Sequence, residues 1–137
     1  MSSIHIYVNV VNNTLKQPFQ RWPEVEHEAL LYAYAIMRHR SEANGTLFSW
    51  APISQVITNR EQSACRRRVS HLKETWPRFN DHIESLKRKW AMIYAHGLAS
   101  GELVDNRPWD WRNYDILGQL EYFVTQLQQN QDEWYVL

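Results

Sequence analysis

The sequence predicts a mainly α fold: a three-helix unit ending in a helix-turn-helix, extended by two further C-terminal helices, with short strands at the two ends of the chain. Three observations lead there. Glycine (4) and proline (5) are scarce among 137 residues, which favours long helices over many short strands. Apolar residues recur at helical spacing over most of the chain after Trp22. A short helix, a brief turn and a basic amphipathic helix follow one another between Trp50 and Thr75.

At the N-terminus (1–20), Ile4, Ile6, Val8 and Val10 alternate with His5, Tyr7 and Asn9, and this period of two predicts a strand. The tail Trp134-Tyr135-Val136-Leu137 is the other short candidate, either as its partner or facing another chain. The three-helix unit spans 21–79. Trp22-Pro23-Glu24 opens its first helix, because proline lacks the N–H that would be unpaired there. Glu24, Glu26 and Glu28 sit where the helix dipole favours negative charge. Leu30, Leu31, Tyr34 and Met37 form the apolar face, and Asn44-Gly45 stops the helix.

Ser49 caps a second helix from Trp50 to Ile57, with Pro52 in its first turn. Thr58-Asn59 makes the turn, and the third helix runs from Arg60 to Thr75, ended by Pro77. The extension (80–130) holds two helices. Asp81 and Glu84 have the spacing of a capping box and open the fourth. Its apolar face is Ile83, Leu86, Trp90 and Ile93, and Gly97 closes it. A loop from Leu98 to Trp111 leads to the fifth helix, with Leu117, Leu120, Val124 and Leu127 on one face, and residues 131–137 form the tail.

Net charge is zero, yet residues 60–90 carry nine basic side chains against four acidic ones, while residues 91–137 carry two against seven. A basic block within a neutral chain attracts a polyanion locally. On the third helix Cys65, Val69 and Leu72 share one side, and Arg60, Ser63, Arg67 and Ser70 the other, flanked by Arg66 and Lys73. Cations that reach phosphates and guanine edges, with small residues that permit close approach, suit a helix in the DNA major groove. The same run also reads as a solvated basic face with no partner. Lys87, Arg88 and Lys89 read as a solvated flank or as backbone phosphate contacts. Arg68, near the edge of the core face, suits either DNA contact or an ion pair with an acid of the first helix.

Arg21-Trp22 before an acidic helix start, Trp50 opening the second helix, and Gln62-x-x-Cys65-Arg66-x-Arg68 in the third resemble the Myb/SANT repeat, a homeodomain-like three-helix fold. By that resemblance Trp22 and Trp50 take two of the family's three large core positions. Val69 stands at the third, a smaller residue than the usual Trp, and the spacing from Trp22 to Trp50 is longer than a usual repeat. Gly45-Thr46-Leu47-Phe48-Ser49-Trp50, then Leu86-x-x-x-Trp90, then Asp115-Ile116-x-x-x-Leu120-Glu121-Tyr122 are similar to a region of the largest, B-block-binding subunit of transcription factor IIIC, which recruits RNA polymerase III. These resemblances imply a nuclear domain that binds double-stranded DNA within a multi-subunit transcription factor. The alternative they imply is a SANT-like module that binds other subunits or chromatin proteins.

No apolar run approaches the roughly 20 residues that span a bilayer, so no membrane partner is expected. The single cysteine, Cys65, rules out an intrachain disulfide and a cysteine-rich zinc site. His27-Glu28 is followed by Leu31 where a zinc-protease helix would place its second histidine. No phosphate-binding glycine loop or nucleophile elbow is present, so the expectation is no enzyme, no cofactor, no metal and no small-molecule substrate. Trp109 and Trp111 are expected to cover the core.

Overall fold

The computed structural model describes residues 22–57, 60–104 and 116–129, and the terminal strands expected around Ile4–Val10 and Trp134–Leu137, together with Trp109 and Trp111, lie outside them. The described residues form five helices and no strand: α1 (Glu24–Asn44), α2 (Ala51–Val56), α3 (Gln62–Thr75), α4 (Phe79–Ser100) and α5 (Ile116–Gln129). The mainly α expectation therefore holds for the described residues.

Helix α1 starts one residue after Pro23, which occupies the N-cap, and Glu24 and Glu26 fall in its first turn. It ends at Gly45, whose φ of 64° is the left-handed conformation that side-chain-bearing residues seldom adopt. Ser49 Oγ accepts the Ala51 N–H at 3.2 Å ahead of α2, and Pro52 lies in that helix's first turn. The basic helix α3 starts at Gln62, two residues later than expected. Glu61 is extended (φ −85°, ψ 164°), so Arg60 is out of phase with the helix and its direction no longer follows from helical spacing.

Helix α4 begins at Phe79 rather than Asp81, which instead lies in the first turn. Gly97 does not close it: the helix runs through Leu98 to Ser100, and Gly101 (φ 83°) is the cap. The reason lies in packing. The Leu103 N–H bonds back to the Gly97 carbonyl at 3.0 Å, and the Leu103 side chain fills the space a Cβ would need at Gly97. That glycine is required by close approach inside the helix, not by a turn. On α5 the inward residues are Ile116, Gln119, Leu120, Phe123 and Val124, while Leu117 is partly exposed.

The core is continuous through all five helices. Helix α1 packs most extensively on α4, and α2 and α5 close two more of its sides. Two aromatic groups mark the centre. Trp90, fully buried, meets Phe123 at 5.1 Å between ring centroids, and Phe123 meets Tyr32 edge-on at 5.3 Å, tying α4, α5 and α1 together. Tyr34 stacks on Trp50 at 5.6 Å and meets Phe48 edge-on at 5.5 Å. Val69 is buried, but Trp22 and Trp50 are only half-buried. The large rings at the centre are Trp90, Phe79 and Phe123, of which the helical spacing places only Trp90 in the core.

Candidate nucleic-acid interface

Helix α3 rests on the molecule through Cys65, Val69 and Leu72. This narrow seam turns Ser63, Arg66, Arg67, Ser70 and Lys73 outward, and all five are exposed. Among the described residues no ion pair reaches Arg66 or Arg67, so no described carboxylate neutralises these guanidiniums. Lys73 is exposed, and its Nζ lies 5.9 Å from the centre of the Tyr34 ring, a cation–π contact that holds the stem against the body. Glu61 and Glu74 are the exposed acids of the same segment. Arg78, exposed in the turn between α3 and α4, adds a cation that the helical reading did not single out. Its signal was Pro77, which ends a helix and leaves the next residue on a turn.

Two expected site residues are elsewhere. Arg60 is 7 % exposed and its Nη2 lies 2.9 Å from Oε2 of Glu26, itself fully buried, with Nε donating to the same oxygen at 3.2 Å. The Trp22 ring covers the guanidinium at 4.4 Å. Arg60 thus joins the start of α3 to α1, in the ion-pairing role that the sequence left open for Arg68. Arg68 is half-buried, and its Nε is sealed from solvent without a hydrogen-bond partner among the described residues. The inward turn of Glu26 was legible from phase: Glu26, Leu30, Ala33 and Met37 recur along one side of α1, and all four are buried.

Lys87 is also buried, and is no phosphate contact in this conformation. Its ammonium lies 2.6 Å from Glu42 and 2.9 Å from Glu84. Burial pulls its pKa down, but the bonds to the two carboxylates outweigh that and leave it raised. Of its neighbours, Arg88 is exposed and Lys89 half-buried.

Behind the basic face the Cys65 thiol is buried, and burial pushes its pKa up to about 12, against a smaller opposing pull from Arg60. It is a neutral thiol near pH 7, without the depressed pKa of a nucleophile. Three histidines are shifted the other way. His27 is held below the usual value by burial and then by Arg68 and His82, against the pull of Glu28 and Glu24. His82 is lowered by burial and Lys89. His39 is lowered by burial and Lys87, opposed by Glu42.

Among the described residues no group of three His, Cys, Asp or Glu side chains is placed to hold a metal ion. No described helix is long and apolar enough to cross a membrane. A cavity of about 30 Å³ lined by His39, Arg40, Ala43, Asn44, Trp90 and Tyr94 is the size of a water molecule rather than of a substrate.

Residues 16–136 match the family model of DUF6581, described as a family of unknown function, and the chain belongs to that family. No curated protein and no solved structure matches it.

Proposed function

We propose that this DUF6581 member binds double-stranded DNA through the outward face of α3. Arg66, Arg67 and Lys73 contact phosphates, one of the arginines is placed for a guanine edge, and Ser63 and Ser70 let the helix approach closely. The observation that carries the reading is the exposure of Arg66 and Arg67 without an ion pair among the described residues. Adjacent guanidiniums repel one another, and a polyanion relieves that repulsion. The preceding short helix and turn support it, since this order is the arrangement of a homeodomain-like helix-turn-helix. Arg78 and Arg88 are the exposed cations best placed in sequence to extend the surface; Arg60 and Lys87, already paired inside the fold, are not part of it.

The resemblance to the B-block-binding subunit sets this activity in the nucleus, within a multi-subunit RNA polymerase III transcription factor and beside its other subunits. A second reading, a SANT-like module that docks protein subunits, draws on Leu47, which is 92 % exposed between α1 and α2. Titration of the labelled protein with a mixed-sequence duplex separates the two. Amide shifts concentrated on 62–74, and their loss in the double variant Arg66→Ala/Arg67→Ala, are expected. A spectrum that duplex leaves unchanged at physiological salt rejects DNA binding in favour of the docking module.

A further inference from the structure

We propose that Ser70 is a phosphoacceptor for a serine/threonine kinase that selects arginines ahead of its target, and that phosphate there switches off the polyanion-binding face of α3. The switch rests on the functional reading above; the acceptor site rests on its own observations. Arg66, Arg67 and Arg68 stand four, three and two residues before Ser70. A kinase groove lined with carboxylates recognises that arrangement through charge-assisted, bidentate hydrogen bonds. Ser70 is exposed in the middle of the basic face.

Other described hydroxyls lack that combination. Ser63 has Glu61 two residues before it, and Arg60, three before, is sealed against Glu26. Ser41 follows Arg38 by three, but it is half-buried and its hydroxyl donates to the Thr46 carbonyl. The Thr75 hydroxyl donates to the His71 carbonyl at 2.8 Å, and Leu72 stands three residues before it.

Kinases take the acceptor in an extended segment, so α3 must open locally. Only Cys65, Val69 and Leu72 of its 14 residues are buried, which makes it a lightly anchored helix and a low-cost opening unit. The step itself is ordinary phosphoryl transfer from MgATP. Ser70 Oγ bonds to the γ-phosphorus as the bond from that phosphorus to the bridging oxygen breaks. ADP leaves with the electron pair, and the hydroxyl proton passes to the base of the kinase.

The consequence is local electrostatics. Phosphoserine carries about −1.5 to −2 charge at pH 7. Arg66 and Arg67 lie four and three residues before it, within reach on the same helix side. The phosphate binds the two guanidiniums that would meet a duplex and itself repels the duplex backbone.

The purified full chain should be treated with MgATP and a kinase requiring arginine two and three residues before the acceptor, beside Ser70→Ala. Phosphate should map to Ser70 by fragment mass spectrometry, and the variant should lose most incorporation. Duplex affinity of the modified chain should fall about ten-fold or more near 0.15 M salt, as a dianion cancels most of a three-cation face. Ser70→Glu should weaken binding in the same direction. A chain that binds duplex but takes phosphate elsewhere, or takes it at Ser70 with affinity unchanged, overturns the switch alone. A chain that binds no duplex before or after treatment overturns the functional reading and the switch together.

Discussion

Removing the Glu26 carboxylate would leave the Arg60 guanidinium under Trp22 without its buried counter-ion. Breaking one side of such a pair costs about 3–5 kcal/mol, whereas replacing both partners with apolar side chains of similar size is often neutral or better. Glu26→Ala should therefore unfold at clearly lower urea concentration than the double variant Glu26→Leu/Arg60→Met. Equal losses would show that the pair adds stability of its own beyond mutual neutralisation. Gly97 tests a different kind of constraint. A Cβ there would sit 2.6 Å from Leu103 Cδ1, 2.7 Å from its Cγ and 3.0 Å from Tyr122 Cε2. Overpacking of this kind costs about 1–3 kcal/mol, against roughly 1 kcal/mol gained in helix propensity. Gly97→Ala should thus destabilise by about 1 kcal/mol net in equilibrium unfolding. A stabilised variant would mean that Leu103 swings aside freely and that the contact is not specific.

Helices α1, α3 and α4 bring His27, Arg68 and His82 into one electrostatic neighbourhood, and that arrangement makes their packing sensitive to acid. Both histidines have folded pKa values below the ordinary 6.5, so the unfolded chain binds protons first as pH drops. Their contribution to stability is complete above about pH 6.5 and is lost as pH falls through the folded values. The urea midpoint should be lower at pH 5.5 than at pH 7.5, a window above the ordinary carboxylate range, and His27→Gln should shrink the difference. An unchanged or higher midpoint at pH 5.5 would contradict the arrangement. None of this proximity was legible from spacing, because each group comes from a different helix. What spacing did predict was within-helix: the seam of Cys65, Val69 and Leu72, the buried row of Ile83, Leu86, Trp90 and Ile93, and the stop at Gly45. It failed where a terminus was decided by something outside the helix. Arg60 left the basic face because Glu61 is extended, and Gly97 stayed helical because Leu103 folds over it. Lys87 shows the same limit, since its partner Glu42 lies 45 residues away.

At the scale of the whole molecule, zero net charge conceals a separation that governs how the protein would meet DNA. The exposed cations of α3 are Arg66, Arg67 and Lys73, with Arg78 beyond the helix, while residues 91–137 carry seven acidic side chains against two basic. Each phosphate neutralised releases counter-ions and contributes a slope of about −0.9 in log affinity against log salt. Three to four engaged cations therefore give a slope of about −3 to −4 for the intact chain. Arg66→Ala/Arg67→Ala should bring it nearer to about −1 to −2, because two phosphate contacts are removed. Glu26→Leu/Arg60→Met should leave the slope unchanged, since the Arg60 charge faces Glu26 rather than solvent. Fluorescence anisotropy on a labelled duplex between roughly 0.05 and 0.3 M salt measures all three slopes, with thermal melts to establish that each variant is folded. A slope that Glu26→Leu/Arg60→Met brings nearer to zero by about one phosphate contact would place the buried pair open to the ligand. The α3 interface would then require α1 to release Arg60 before binding.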